Sequence, residues 1–549
     1  MRRCVQVQGS ANALAAHPEP TRPEPAVLAE AARRRTFAVI SHPDAGKSTL
    51  TEALALHGGA IVEAGHVKGK AGRRGVVSDW QEMEKARGIS ISSAALQLQH
   101  GGCVLNLLDT PGHADFSEDT YRVLAAVDCA VMLVDAARGL ERQTMKLFDV
   151  CRFRGLPVIT VINKWDRPGR DALELMDEIA ERTGMVPTPL TWPVGIGGDF
   201  RGVLDRRSGN YVAYTRTAGG AKRAPQETLA PAAAAAREGE VWQQAAEECE
   251  LLEATGSDHD QEAFVAGAST PVLFAAAVLN FGVDQLLDVL VEHAPAPTPR
   301  PDAGGGHRPV DALFSGQVFK VQSGMDRAHR DRVAFVRVCS GRFERGMDVV
   351  NARTGRQFST KYAHQVFGST RESLDEAWPG DVVGLVNASA LRVGDTLFQG
   401  APVEFPPIPS FAPEHFMVAR AKDVGKSKQF HRGMSELDSE GVAQVLRSDL
   451  RGDQAPVLAA VGPMQFDVVQ HRMESEFHAP VSLEALAYSL ARRTTADAVD
   501  VLRGKFGVEV LWRTDGTPLA VFSDKWRLGA IQRDNPDLVL ERLAADGGT

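Results

Sequence analysis

The chain has 549 residues, long enough for roughly three or four domains, and its 61 Lys+Arg against 70 Asp+Glu give a formal net charge of -9. That balance argues against a wholly basic coat for nucleic acid but leaves room for local basic patches. No run of about 18 apolar residues occurs, so no membrane span is expected; the six cysteines, Cys4, Cys103, Cys129, Cys151, Cys249 and Cys339, form no Cys-x-x-Cys pair and read as reduced core residues of a cytoplasmic protein.

Residues 1–32 mix Ala, Pro and Glu without an apolar stretch, which predicts a disordered tail and not a signal peptide. From 33 to 295 strand-like and helix-like segments alternate, the pattern of a mainly parallel sheet with helices on both faces. Phe37-Ala38-Val39-Ile40 leads into Ser41-His42-Pro43-Asp44-Ala45-Gly46-Lys47-Ser48 and then the helical Thr49–Leu56, the strand-loop-helix order of a phosphate-binding loop. In that reading backbone N–H groups face the phosphates, Lys47 reaches the β and γ oxygens, and the Ser48 hydroxyl ligates Mg²⁺. Ser41 stands where the pattern has its first glycine.

The polar stretch from Val67 to Gly75 and the following Ser78–Ile91 suit a loop over the phosphates, with Ser90 on Mg²⁺ only while a γ-phosphate is present, or a plain connection. Val104–Leu108 is a buried-type strand ending in Asp109-Thr110-Pro111-Gly112-His113. Asp109 can hold Mg²⁺ through water, Gly112 can bring its N–H close to a γ-phosphate, and His113 can orient the attacking water or serve as an ordinary surface histidine. A second apolar strand, Pro157–Ile162, ends in Asn163-Lys164-Trp165-Asp166. A carboxylate at Asp166 accepts from both N1–H and N2–H₂ of guanine, whereas adenine offers no such pair of donors. Either acid alone is also a common strand-end turn residue; in this order, at the C-terminal ends of strands where α/β sheets bind ligands, they point to GTP/GDP with Mg²⁺.

Residues 186–270 break the alternation and read as an insertion, after which Pro271–Ala277 and the helix Val283–His293 complete the nucleotide domain. A Pro/Gly-rich linker at 296–309 precedes short β runs over 310–400, expected to form an antiparallel β-barrel, and 405–549 reads as α+β. Two basic runs, Arg327–Arg337 and Lys422, Lys426, Lys428, His431 and Arg432, fit either RNA phosphates or solvated faces.

Through Asp109–His113, Asn163–Asp166 and Arg87-Gly88-Ile89-Ser90-Ile91 the sequence resembles the translational GTPases, the group that includes elongation factor G. Ser41–Lys47, Ser78–Ile91, Phe116–Arg122, His329–Phe335 and Gln465–Val469 narrow the resemblance to the bacterial peptide chain release factor three family. It implies a P-loop GTPase domain, a β-barrel and a C-terminal α+β domain, in a cytoplasmic factor; nothing in the sequence suggests more than a monomer. Such a factor binds the ribosome through rRNA and ribosomal proteins, hydrolyses GTP, and promotes departure of a class I release factor after peptide release without reading stop codons. Within the resemblance, Lys47 and His113 are the catalytic residues, and Ser48, Ser90 and Asp109 hold the metal. The last base-contacting stretch is Ala275-Ala276-Ala277 where the family usually has Ser or Thr; the contact is assigned to a backbone N–H at Ala276. Another ribosomal GTPase, or a nucleotide-gated assembly scaffold with little turnover, is the alternative. A translocase needs further C-terminal domains than 405–549 allow, and the Gly-Gly-Gln tripeptide of peptidyl-tRNA hydrolysing factors is absent.

Overall fold

The computed structural model describes residues 25–60, 94–111, 117–216, 223–323, 332–367, 370–386, 388, 390–408 and 412–543. Eleven strands build its first unit: β1 (Arg34–Ser41), β2 (Ala94–His100), β3 (Cys103–Asp109), β4 (Cys129–Asp135), β5 (Val158–Asn163), β6 (Val186–Pro189), β7 (Thr191–Val194), β8 (Gly202–Asp205), β9 (Asn210–Tyr214), β10 (Gln226–Leu229) and β11 (Ser269–Phe274). The central sheet runs β2-β3-β1-β4-β5-β11-β6, parallel except for the antiparallel β2 edge. Continuous apolar strands suit this arrangement because helices cover both faces. Along β1, Ala38 and Ile40 enter the core on one face while Phe37 and Val39 enter the core on the other.

Two boundaries differ from the sequence reading. Val186–Pro189 is not part of the insertion: it pairs in parallel with β11 as the edge of the central sheet, its own residues being short and Pro-rich in the way edges tolerate. The inserted unit proper is the antiparallel sheet β10-β9-β8-β7 with the helices Pro231–Glu238 and Glu240–Ala254, anchored by the buried Trp192, whose Nε1–H donates to Glu248 at 2.7 Å. The second difference is the linker. Its Arg300–Pro301 and His307–Arg308 form a short antiparallel hairpin, and Arg300 donates to Ala125 O at 2.9 Å, so the segment is packed against the first unit.

The second unit is an eight-stranded antiparallel, barrel-like sheet centred on the long pair Ser315–Ser323 and Arg332–Ser340, with Phe314, Val318, Val336 and Phe343 inside. The third is a seven-stranded antiparallel sheet. Helices Ser427–Glu440 and Met464–Ser475 cover one part of it through Phe430, Leu437, Phe466 and Met473; helices Ala496–Leu502 and Lys525–Asp534 cover another.

Polar contacts join the units. The Pro379-Gly380-Asp381 turn of the second unit meets the ends of β1 and β3: Gly380 O accepts from Thr36 Oγ1 at 2.7 Å and Asn106 Nδ2 at 3.0 Å, and Asp381 accepts from Arg34 Nε at 2.8 Å. Arg337, the last residue of the first basic run, is wholly buried here and pairs with Asp128 at 2.5 Å. It holds two units together and is withdrawn from any RNA surface; Arg327, His329 and Arg330 lie outside the described residues. The third unit reaches the first at the helix Ser117–Leu124, where Arg122 donates to Glu440 O at 2.9 Å. Gly441 makes room: a Cβ there would meet the guanidinium at 2.0 Å.

Candidate nucleotide site

β1, β3 and β5 deliver their C-terminal ends side by side, and the loops that follow them meet. The turn after β1 takes its curvature from Asp44, at φ 65°, and Gly46, at φ 97°. Gly46 is needed twice over, since a Cβ would also lie 2.5 Å from Asn163 Nδ2. Ser41 is the last residue of β1 and has no positive φ, so the missing first glycine is not required by the backbone. The helix Lys47–His57 starts at this turn and aims its N-terminus into the space between the loops.

Lys47 and Asp109, both buried, pair at 2.7 Å. Asp109 Oδ1 also accepts the Thr110 N–H at 3.1 Å, and Thr110 Oγ1 donates to Val39 O at 2.8 Å, which fixes β3 against β1. Asp109 Oδ2 is shielded from water and accepts no hydrogen bond among the described residues. Ser48 follows Lys47 in the first helical turn, half-buried. Pro111 is buried and its carbonyl accepts from Thr120 Oγ1. Gly112, His113 and Ser90 lie outside the described residues.

At the end of β5, Asn163 spans two loops: Nδ2 donates to Ala45 O at 2.9 Å and Oδ1 accepts the Ala277 N–H at 3.0 Å. Lys164, at φ 67°, lays its ammonium on Asp44 O and pairs with Asp135 Oδ2 at 2.8 Å. Trp165 turns away into the core, 4.8 Å edge-on from Phe274, with Nε1–H on Gly195 O at 3.1 Å. Asp166 Oδ1 is shielded from solvent without a partner among the described residues, an acceptor left for a donor that the chain does not supply. Next to this loop the Ala276 N–H donates to Phe281 O at 3.1 Å and the Ala277 N–H to Asn163 Oδ1 at 3.0 Å.

His42 and Asp135 complete the surroundings. His42 is buried, its Nδ1 3.4 Å from Thr144 Oγ1; burial holds the imidazole below its ordinary range against the pull of Glu141 and Asp135. Burial acts to raise the Asp135 carboxyl, but the Lys164 ammonium and the Ala137 N–H outweigh it and hold it below the usual carboxylate range. Sequence reasoning did not assign Asp135 to the site. The signal was present, a carboxylate at the C-terminal end of the apolar β4, as for Asp109 at the end of β3.

A parallel sheet with a Gly/Lys loop after its first strand, an Asp at the end of β3 and an Asn-Lys-x-Asp turn after β5 defines a guanine-nucleotide-binding GTPase. Three family models match in succession: the Elongation factor Tu GTP binding domain over residues 32–296, Elongation factor G domain 2 over 313–400, and the Class II release factor RF3, C-terminal domain, over 405–532. Curated relatives named Peptide chain release factor 3 cover nearly the whole chain. That of Synechococcus elongatus is 47% identical over 93% of each chain. Those of Gloeobacter violaceus (47%; 95% of this chain and 99% of that one) and Symbiobacterium thermophilum (45%; 93% and 98%) are similar. A crystal structure from Thermus thermophilus shares the fold with a TM-score of 0.67 at 23% identity, over 88% of this chain and 72% of that one. The chain belongs to the peptide chain release factor 3 family, GTP hydrolases of translation termination. Among the described residues no helix is long and apolar enough to cross a membrane.

Proposed function

We propose that this protein is a cytoplasmic, ribosome-dependent GTPase that promotes dissociation and recycling of a class I release factor after peptide release, independently of the stop codon. The observation that carries the nucleotide half of this reading is the convergence of three strand-end loops on one space, with Lys47 against Asp109 and Asn163 against Ala45. The family carries the termination half.

In this reading Asp166 accepts the N1–H and N2–H₂ edge of guanine, Asn163 and Lys164 brace the phosphate loop from the base side, and the loop from Ser41 to Ser48, Pro43 apart, turns backbone N–H groups to the phosphates. Lys47 turns from Asp109 to the β and γ oxygens. The orphan Asp109 Oδ2 and the neighbouring Ser48 hydroxyl are hard oxygen donors that fit Mg²⁺, with Ser90 as the third ligand. The ion would neutralise phosphate charge. His113 orients the attacking water once the ribosome positions it, and Gly112 reports the γ-phosphate. The working units are taken as 33–295, 310–400 and 405–549, the protein acting as a monomer. The test is GTP turnover by the purified protein with and without ribosomes, together with release of a labelled class I release factor from terminated ribosomes.

A further inference from the structure

At the far end of the third unit two large aromatic side chains stand almost wholly in water, Phe506 at 89% and Trp526 at 87% exposure. Phe506 belongs to the turn after the helix Ala496–Leu502, and Trp526 to the first turn of the helix Lys525–Asp534. The two turns abut. The Ser523 N–H donates to Gly507 O at 3.0 Å, and a Cβ on Gly507 would lie 3.7 Å from Arg527 Cγ. Cations flank both rings in the chain: Lys505 beside Phe506, Lys525 and Arg527 on either side of Trp526.

Those cations are not spent inside the protein. Among the described residues none of the three pairs with a carboxylate, and Arg527 Nε is shielded without a hydrogen-bond partner. The nearby acid Asp524 is committed to capping its own helix, accepting from the Arg527 N–H at 2.7 Å and from Ser523 Oγ at 3.1 Å. An open cleft of about 540 Å³ lies alongside Trp526, with Arg492 and Lys525 but also Glu414 and Asp524 in its lining. Two exposed rings thus stand beside three cations, Lys505, Lys525 and Arg527, that pair with no carboxylate among the described residues.

Protein-binding patches of this size are apolar at the centre and depleted of Lys. Here the surroundings of both rings are charged. Flat aromatics beside unspent cations are instead the chemistry that holds unpaired nucleotides: bases stack on the rings while phosphates meet the cations. We propose that Phe506 and Trp526 form a stacking platform for an unpaired segment of ribosomal RNA, with Lys505, Lys525 and Arg527 on its phosphates. The choice of ribosomal RNA rests on the ribosome-binding function proposed above; the platform itself requires no bound nucleotide.

The test is fluorescence anisotropy of the full chain with fluorescein-labelled RNA of about 12 nucleotides, single-stranded or as a duplex, at low salt. Phe506→Ala and Trp526→Ala should each raise Kd for the single strand about tenfold, Trp526→Phe far less, and none should alter duplex binding or intrinsic GTP turnover. Lys525→Glu should weaken single-strand binding and flatten its salt dependence. Because both rings are exposed, their loss costs no core packing, and unchanged circular dichroism certifies the fold. Single-strand binding that survives both alanine variants, or that is lost equally on the duplex, overturns the platform. Sedimentation with vacant ribosomes free of mRNA tests the source: the double alanine variant should bind them several-fold more weakly, and a defect seen only on mRNA-programmed ribosomes would overturn the assignment to ribosomal RNA.

Discussion

Asn163→Ala probes the brace between the phosphate loop and the base loop. The side chain is 2% exposed and both ends of its amide are used, at 2.9 Å to Ala45 O and 3.0 Å from the Ala277 N–H. Truncation leaves one buried carbonyl and one buried N–H unpaired, each at a cost of about 1–3 kcal/mol. The loops will relax to recover part of this, so about 3 kcal/mol is the working figure, and it falls mainly on the geometry that the nucleotide needs. Since about 1.4 kcal/mol is tenfold, Kd for GDP should rise about a hundredfold. Titration with a fluorescent GDP analogue measures it directly, with Gly46→Ala as a control that should also abolish binding through its Cβ clash 2.5 Å from Asn163. A Kd for Asn163→Ala unchanged from the parent protein would refute the bracing role.

Asp166→Asn should weaken GTP and favour xanthine nucleotides, whose C2 oxygen needs a donor; a competition assay showing untouched GTP affinity would remove Asp166 from base recognition. His113→Ala should spare GTP binding while lowering ribosome-stimulated turnover at least about tenfold, and full turnover would exclude His113 from the chemistry. Asp381→Ala at the joint between the first two units leaves Arg34 with only Glu30 and should lower stability by about 2–4 kcal/mol in urea unfolding; an unchanged midpoint would mean the joint carries no energy. Burial, with Arg223 and His100 nearby, pushes the His57 imidazole down to about 4. The unfolded chain therefore takes up a proton near its ordinary value while the folded chain resists until about 4, so stability should rise with pH across that window. His57→Gln should flatten the slope, and an identical pH profile would contradict the assignment.

What was legible in the sequence is local. A strand that ends in a Gly/Lys turn, in Asp109 or in Asn163-Lys164-Trp165-Asp166 carries its chemistry within a short stretch, and the alternation of strand and helix gives the sheet. Ser41 looked like a departure only because the motif is written as residues; the backbone shows the positive φ falling at Asp44 and Gly46 instead. Non-local contacts were not readable. Arg337 sits in a basic run by sequence, but its partner Asp128 is 209 residues away, and the linker hairpin is fixed by Arg300 reaching Ala125. Val186–Pro189 is too short and proline-rich to announce a sheet edge until β11 lies beside it.

The measurement closest to the central claim is GTP hydrolysis by the purified protein, with and without ribosomes, run alongside departure of a labelled class I release factor from terminated ribosomes. Ribosome-stimulated turnover coupled to faster departure of that factor is expected, both lost in His113→Ala. Stimulated turnover with no effect on the labelled factor would keep the GTPase and contradict its proposed task.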